Sequence, residues 1–538
     1  MDADKSPLCE KLTMDAELKT DGKPGYNLFA IIFLLFISLH AYLMVSTRLY
    51  PFLDTPNHLA MATIYRFYGE STNQFASYYS IDTFLKPNVA HLFFCGSKLF
   101  PSVEFANKVF YCLYIALFPL SMLLVIKKIG GNQWFSLLSF LFLYNINVLY
   151  GFNGFVIAIP FVMFTFCSLL YYMDKRTMLT GIALAVLLVM LFFMHALAAL
   201  FALLIICACS FVAGRRSFSG VVKDCIPALP AVALMVIWWY RDSVQYQAEG
   251  LAGFLMKYYM GDYFKTLYLR GGFLIFDNFR LQEGILGYAL ALLFSLFVFA
   301  LLAVALYSYK ERPQNAGKNG HVKTLITFMI CSAAVFFIIP ERLPGYSFLF
   351  ARLSVFIFIS LILLGSIFFS SSLKKAVPGA ICIMCLIHFL LWADYFRDFD
   401  RENRMFNREF FSSISNDKRL AGLIYDYRFR GRSVYENFAD YYIVWKQGIV
   451  NTRVLDDRSF PLRRAVSAEV LPPHIGWSGK YDRYDGRYGT MEYILVRGEL
   501  SPKARAQMQG FKEIRQTGPW VLYENVHAPA SGGSVKRN

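Results

Sequence analysis

The stretch Leu53-Asp54-Thr55-Pro56-Asn57-His58 comes a few residues after an apolar segment, Asn27 to Ser46, that is long enough to cross a bilayer. Pro56 suits the first turn of a helix, and Asp54 or Thr55 suits its cap. The reading places a carboxylate and an imidazole, four residues apart, at the mouth of a membrane helix. Most of the chain downstream can be read as a wall, a floor or a roof for this corner.

Working outward, the 538 residues are 57% hydrophobic and only 17% charged, with a mean hydropathy of +0.43. That excludes an ordinary soluble protein and points to a polytopic membrane protein. The formal charge of +16 does not indicate a nucleic-acid partner, because the basic residues fall mainly in short loops between apolar runs and in the polar C-terminal region. Cysteines such as Cys112, Cys167, Cys207, Cys331 and Cys382 lie inside apolar runs and read as small hydrophobes. No CxxC or Cys/His spacing suggests zinc.

Apolar runs of roughly 17–25 residues can span a membrane. There are eleven candidates: 27–46, 105–126, 133–150, 155–173, 178–194, 196–213, 225–240, 285–307, 324–340, 353–371 and 377–393. His195 marks a break in the run from 178 to 213. Residues 1–26 read as a cytoplasmic tail before an uncleaved first span, since no small-residue cleavage site follows the apolar run. With that end inside, the inner loops carry Lys127 and Lys128, Lys175 and Arg176, Arg215 and Arg216, Lys318 and Lys323, and Lys374 and Lys375. This is the positive-inside pattern. It puts loops 47–104, 241–284 and 341–352 on the opposite face, together with residues 394–528, which read as a small α/β domain. Strands are expected near 433–435, 493–496 and 520–523, and helices over 405–424 and 501–510. Residues 529–538 read as a disordered tail. No internal repeat is visible.

Asp54 is the candidate catalytic residue. A carboxylate at this position can act as a general base on an acceptor hydroxyl, or it can hold a divalent metal ion. The competing reading is a helix cap. His58 and His195 are costly in apolar surroundings unless they face a cavity or a partner. His40 and His388, inside spans, read as packing residues. The turn Gly151-Phe152-Asn153-Gly154-Phe155, followed by Pro160, offers a tight backbone bend and the amide of Asn153. Arg342 and Arg352 flank a Pro-Gly turn. A part-buried guanidinium there suits a lipid phosphate or diphosphate, against the alternative of snorkelling to headgroups. Lys86 is a weaker candidate of the same kind. Asp398-Phe399-Asp400 has DxD spacing but sits in a charge-rich linker and reads as solvated.

Taken together, Asp54-Thr55-Pro56-Asn57-His58, Gly151-Phe152-Asn153 with Pro160, His195 and Arg352 resemble the GT-C superfamily of polytopic membrane glycosyltransferases, and within it a bacterial branch of GT-C-like proteins. The resemblance covers residues 27–393 and is architectural. It implies an all-α membrane domain with a first-loop acid, here Asp54, and an external α/β C-terminal domain. It also implies an inner-membrane enzyme using a polyprenyl-phosphate or polyprenyl-diphosphate sugar donor, with a glycan, lipid or protein acceptor. Asp54 would be the base and Arg352 would hold the donor phosphate, with Asn57, His58, Asn153 and His195 around the sugar and Lys86 and Arg342 as further cations. The chain departs from better-known members in having Asn153 where a second acidic motif is expected, and in lacking a WWD-type motif. The rival readings are a lipid-linked sugar transporter or flippase, and a non-catalytic subunit of a cell-envelope glycan assembly.

Overall fold

The structure is a computed structural model that describes residues 24–212, 218–243, 263–310, 319–342, 347–369, 376–452, 460–465, 471–472, 474, 486–500 and 502–527. The expected N-terminal tail and C-terminal tail, much of loop 241–284 and the Pro-Gly turn of loop 341–352 lie outside the described residues.

Among these residues, eight helices are long and apolar enough to cross a membrane. They include α1 (Pro24–Ser46), α4 (Val103–Lys128), α5 (Asn153–Asp174), α9 (Ile285–Lys310), α11 (Leu349–Phe368) and α12 (Ala376–Glu402). Between them come two helices of the first loop, α2 (Thr55–Phe67) and α3 (Ala90–Gly96). Helices α6 (Met178–Met194), α7 (Ala196–Val212) and α8 (Leu229–Ser243), with α10 (Asn319–Ile338), complete the numbering; α10 and the run Ser219–Arg241, in which the helix Phe218–Cys225 continues through a 3-10 turn into α8, are the remaining two of the eight.

Three of the eleven expected spans fall outside these eight. Helices α6 and α7 have 17 residues each, about 25 Å at the α-helical rise against a hydrocarbon core of about 30 Å. The run 133–150 is a 3-10 helix over Gln133–Phe142 followed by a single turn, Ile146–Leu149. Asn145 breaks it, because its side chain accepts from the Asn147 N–H at 2.9 Å and caps the second piece. Hydropathy alone does not distinguish such a buried, interrupted segment from a continuous span.

The C-terminal region holds a five-stranded sheet of order β5-β2-β7-β9-β8, with β2 (Arg419–Ile424), β5 (Ile449–Val450), β7 (Tyr493–Arg497), β8 (Phe511–Thr517) and β9 (Trp520–Asn525). Strand β2 runs parallel to β5 and β7, while β9 is antiparallel to β7 and β8. Every residue of β7 is buried, which suits a central strand covered on both faces. The helix expected over 405–424 is absent: Arg408–Phe411 is a 3-10 turn capped by Asn407, and β2 begins at Arg419. Long-range pairing with β7 overrides the local pattern. Helix α12 also runs through Glu402, past the expected boundary at 393, because Tyr395, Phe396 and Phe399 continue its buried face.

Two smaller sheets tie the regions together. Strand β1 (Tyr79–Ile81), from the first loop, pairs antiparallel with β6 (Leu462–Arg464) from the C-terminal region. Strands β3 (Arg428–Phe429) and β4 (Arg432–Ser433) form a hairpin. Arg497, buried in β7, pairs with Glu402 of α12 at 2.5 Å and with Asp426 at 3.3 Å, and its guanidinium lies 3.6 Å from the Tyr435 ring. Arg48, just after α1, donates to the carbonyls of Phe406 and Asn403. The C-terminal region is therefore locked onto the ends of the first and last membrane-type helices, the sheet through Arg497 and the loop after α12 through Arg48.

Candidate functional site

Helix α2 begins as its sequence suggests, with Pro56 in the first turn and Asp54 at the cap position, but the Asp54 side chain makes no cap hydrogen bond. Its carboxylate instead accepts from Asn437 Nδ2 of the C-terminal region at 3.0 Å, and the same amide donates to the Leu53 carbonyl at 3.1 Å. The backbone around Asp54 is clamped from the other side as well. The N–H groups of Leu53 and Asp54 donate to the carbonyls of Leu149 and Tyr150 at 3.1 and 3.0 Å. Gly151 makes this approach possible. It has φ +73°, and a Cβ there would lie 2.8 Å from the Thr55 nitrogen and 2.9 Å from the Asp54 nitrogen.

Asp54 and His58 line a cavity of about 100 Å³ together with His91 of α3, His195 and Arg352. Phe152 and Gly154 form part of its wall, and Phe460 and Pro461, just before β6, come from the C-terminal region to cover it. Its described walls thus present one carboxyl group, one guanidinium and three imidazoles. Burial pushes His58 down to about 3, helped by nearby His91 and Arg352. Burial likewise lowers His91 to about 4, against a hydrogen bond to Asn107 that raises it. Both imidazoles are therefore neutral at pH 7, and they sit edge to face with ring centroids 5.4 Å apart.

Arg352 lies in the first turn of α11, whose start is held by Asn147 donating to the Arg352 carbonyl at 3.1 Å. Its guanidinium stacks over Phe152 at 3.6 Å and donates to the Ser347 carbonyl at 3.2 Å. Its Nη1 lies 3.0 Å from His195 Nε2. His195 is extended between α6 and α7, and its Nδ1 lies 3.2 Å from the Leu197 N–H. A neutral imidazole accepts at only one ring nitrogen, so the Arg352 and Leu197 donors compete for it. An anion entering the cavity would offer the guanidinium a better acceptor than that shared ring.

The other expected site residues take different places. Asn57 points away from the cavity and donates to Asp440 Oδ2 at 3.0 Å and Thr452 Oγ1 at 2.7 Å. Asn153 sits behind the wall, accepting from Tyr111 at 2.5 Å with its Nδ2 3.1 Å from His91 Nε2. It fixes His91 rather than facing the cavity. Lys86 is buried and pairs with Asp82 at 3.3 Å, and Arg342 is exposed beside Glu341. Neither lines the cavity. Asp398 pairs with Arg401 and Arg430, and Asp400 accepts from the Arg48 N–H, so the DxD carboxylates serve as clamps. Among the described residues, no group of three or more His, Cys, Asp or Glu side chains is arranged to hold a metal ion.

Sequence reasoning did not single out His91 or Asn88. His91 falls in an apolar, aromatic piece, His91-Leu92-Phe93-Phe94, that reads equally well as an interfacial helix. Asn88 carried a usable signal, following Pro87 at a turn with φ +63°. Its side chain accepts from the Ala196 N–H at 3.3 Å, next to the break at His195. Comparison of the chain with protein-family models and with curated proteins finds no match.

Proposed function

We propose that the chain is an integral membrane glycosyltransferase that moves a sugar from a polyprenyl-phosphate or polyprenyl-diphosphate donor to an acceptor at the extracytoplasmic face of an inner membrane. The supporting observation is that Asp54 and Arg352, from opposite ends of the helical region, line one buried cavity. Asp54 then serves as the general base toward the acceptor hydroxyl. Arg352 holds the donor phosphate, whose charge grows as the sugar leaves. His58, His91 and His195 surround the sugar as hydrogen-bonding groups. Eleven membrane segments complete this reading, with the shorter α6, α7 and 133–149 pieces added to the eight long helices and the N-terminus cytoplasmic.

The cavity volume fits a phosphate-sized group and falls below the ~300–1,000 Å³ of sites that enclose a whole small molecule. The sugar therefore needs Phe460 and Pro461 to give way. The test is turnover and lipid-donor affinity for Asp54→Asn, Arg352→Lys and Arg352→Ala in nanodiscs. Loss of a general base lowers turnover by ~10²–10⁴-fold, so Asp54→Asn should do this while donor binding persists. Arg352→Lys loses the planar fork and should weaken donor binding, and Arg352→Ala should do so further. Full activity in Asp54→Asn ends the catalytic assignment. Unchanged donor affinity in Arg352→Ala ends the phosphate assignment.

A further inference from the structure

A second cleft, of about 340 Å³, lies on the far side of the segment that clamps Asp54. Leu149 and Tyr150 line it, while their carbonyls accept from Leu53 and Asp54, so one stretch of backbone separates the cleft from the cavity. Its other described walls carry Arg280, Arg428 and Arg432 against a single carboxylate, Glu283. The hairpin β3–β4 supplies two of these arginines. Its two-residue loop has positive φ at both Arg430 and Gly431, +45° and +82°, the geometry of a tight hairpin turn. That turn docks the hairpin on the chain before α9, where the Arg430 carbonyl accepts from the Glu283 N–H at 3.1 Å.

The charges in this cleft are unevenly satisfied. Arg430 spends its charge on Asp394 and Asp398. Arg280 pairs with Asp277 at 2.8 Å and Glu283 at 3.4 Å, and donates to Tyr288 at 2.6 Å. Arg432 donates to the Arg280 backbone carbonyl at 2.6 Å, which holds its guanidinium against the chain that carries Arg280. Neither Arg428 nor Arg432 comes within ion-pair distance of a carboxylate among the described residues, although the charge of Arg432, after that of Arg280, also favours the ionised form of Asp277. Two arginines without a direct ion pair there, and a third beside them, favour an anion with several acceptor oxygens. The depth of the cleft points the same way. Arg280 and Glu283 come just before Ile285 and Leu286, which are 90% and 61% exposed and begin an apolar helix of membrane length. Residues at that position lie at headgroup level when the helix crosses a bilayer.

We propose that this cleft is a binding site for a phosphate group, gripped by Arg428 and Arg432 with Arg280 beside them. Its volume admits the phosphate together with part of the molecule that carries it. The phosphate belongs either to a lipid headgroup or to a soluble phosphorylated molecule, and the site stands whether or not the neighbouring cavity is catalytic.

The experiment uses the full chain with two probes. Phosphatidic acid diluted in phosphatidylcholine nanodiscs is scored by native mass spectrometry of the retained lipid. Inorganic phosphate, against chloride at equal ionic strength, is scored by the shift in unfolding temperature. The double variant Arg428→Gln/Arg432→Gln should lose about tenfold in affinity for the active probe, one charge-assisted contact or more. Arg428→Lys/Arg432→Lys keeps the charge without the fork and should fall between, and it carries the readout if the glutamine pair does not fold. Arg401→Gln, on an exposed arginine outside the cleft, should match wild type. Arginine-dependent retention of phosphatidic acid assigns a lipid headgroup, and arginine-dependent stabilisation by inorganic phosphate assigns a soluble source. Equal behaviour of wild type and both double variants toward both probes overturns the site.

Discussion

Replacing Asp440 with asparagine should abolish a specific pH dependence of stability. Asp440 is fully buried, and its Oδ2 accepts from Asn57 at 3.0 Å and from Thr452 at 3.1 Å. Burial raises its pKa from 3.8 to about 7, with the two hydrogen bonds pulling down and Asp54 adding to the rise. In the unfolded chain the carboxyl ionises near its ordinary value of about 4. Between pH 4 and 7 the folded protein therefore holds a proton that the unfolded chain has lost, and stability falls as pH rises. Above about pH 7 both states are ionised and the loss is complete. A shift of about three pKa units amounts to roughly 4 kcal/mol, at about 1.4 kcal/mol per unit.

Asparagine keeps an oxygen for both donors and never ionises. The stability difference between Asp440→Asn and wild type should thus be smallest, about 1 kcal/mol, at pH 4.5 and grow through pH 7. It should then level off in favour of the variant, approaching those few kcal/mol. Guanidinium unfolding of both proteins side by side, followed by tryptophan fluorescence between pH 4.5 and 8.5, reads it directly, because titrations common to the two cancel. Asp440→Ala supplies the contrast. It strands the Asn57 and Thr452 donors and should cost about 1–3 kcal/mol at low pH, where Asp440→Asn costs little. A constant offset between Asp440→Asn and wild type across the range would refute the reasoning.

The same geometry sets other outcomes. Gly151→Ala should destabilise by at least about 1–2 kcal/mol from the left-handed backbone alone, with its Cβ also pressing on the Asp54 and Thr55 nitrogens; a thermal melt at wild-type temperature would contradict this. Arg497→Met removes the buried partner shared by Glu402 and Asp426 and strands the Asp426 carbonyl that it hydrogen-bonds; because both carboxylates reach water, the cost should be about 1–3 kcal/mol, seen as protease sensitivity between residues 400 and 527. Engineered cysteines at 128, 215 and 374 should label from the cytoplasm, and those at the exposed positions 268 and 405 from the other face; labelling of 405 from the cytoplasm would remove the external-site reading.

The legibility of the site in the sequence has a physical pattern. Asp54, His58, His195 and Arg352 stand out because ionisable groups in apolar surroundings need a reason to be there, and all four line one cavity. Asn57 and Asn153 were legible as hydrogen-bonding amides but not by role, since an amide bonds equally well to a ligand or to a neighbouring chain segment. Lys86 and Arg342 show the limit of charge as a signal: one is buried against Asp82 and the other is exposed. His91 was obscured by its aromatic neighbours. In the fold, uninterrupted apolar runs such as 285–307 and 105–126 were read within a few residues. The segment misread, 405–424, and the interruption missed within 133–150 are places where the backbone state depends on partners distant in sequence. No local periodicity encodes the pairing of Leu420 with Tyr493.

That non-local dependence also explains why the site needs both halves of the chain. Helix α2 has 13 residues, a length at which an isolated helix is marginal in water. Tertiary contacts must therefore hold it, and its buried face includes the amide of Asn57. Left unpaired, such a group costs about 1–3 kcal/mol. Asp440 and Thr452 remove that cost, Asn437 grips Asp54 one turn earlier, and β6 pairs with β1 to bring Pro461 over the cavity. The membrane-type helices supply Arg352 and the walls, while the C-terminal region sets the orientation of the acid. Asp440 is thus where pH acts on this contact: burial raises its carboxyl to about 7 against the pull of the Asn57 and Thr452 donors, so the stability expected to be lost on its ionisation is lost beside the helix that the proposed general base depends on.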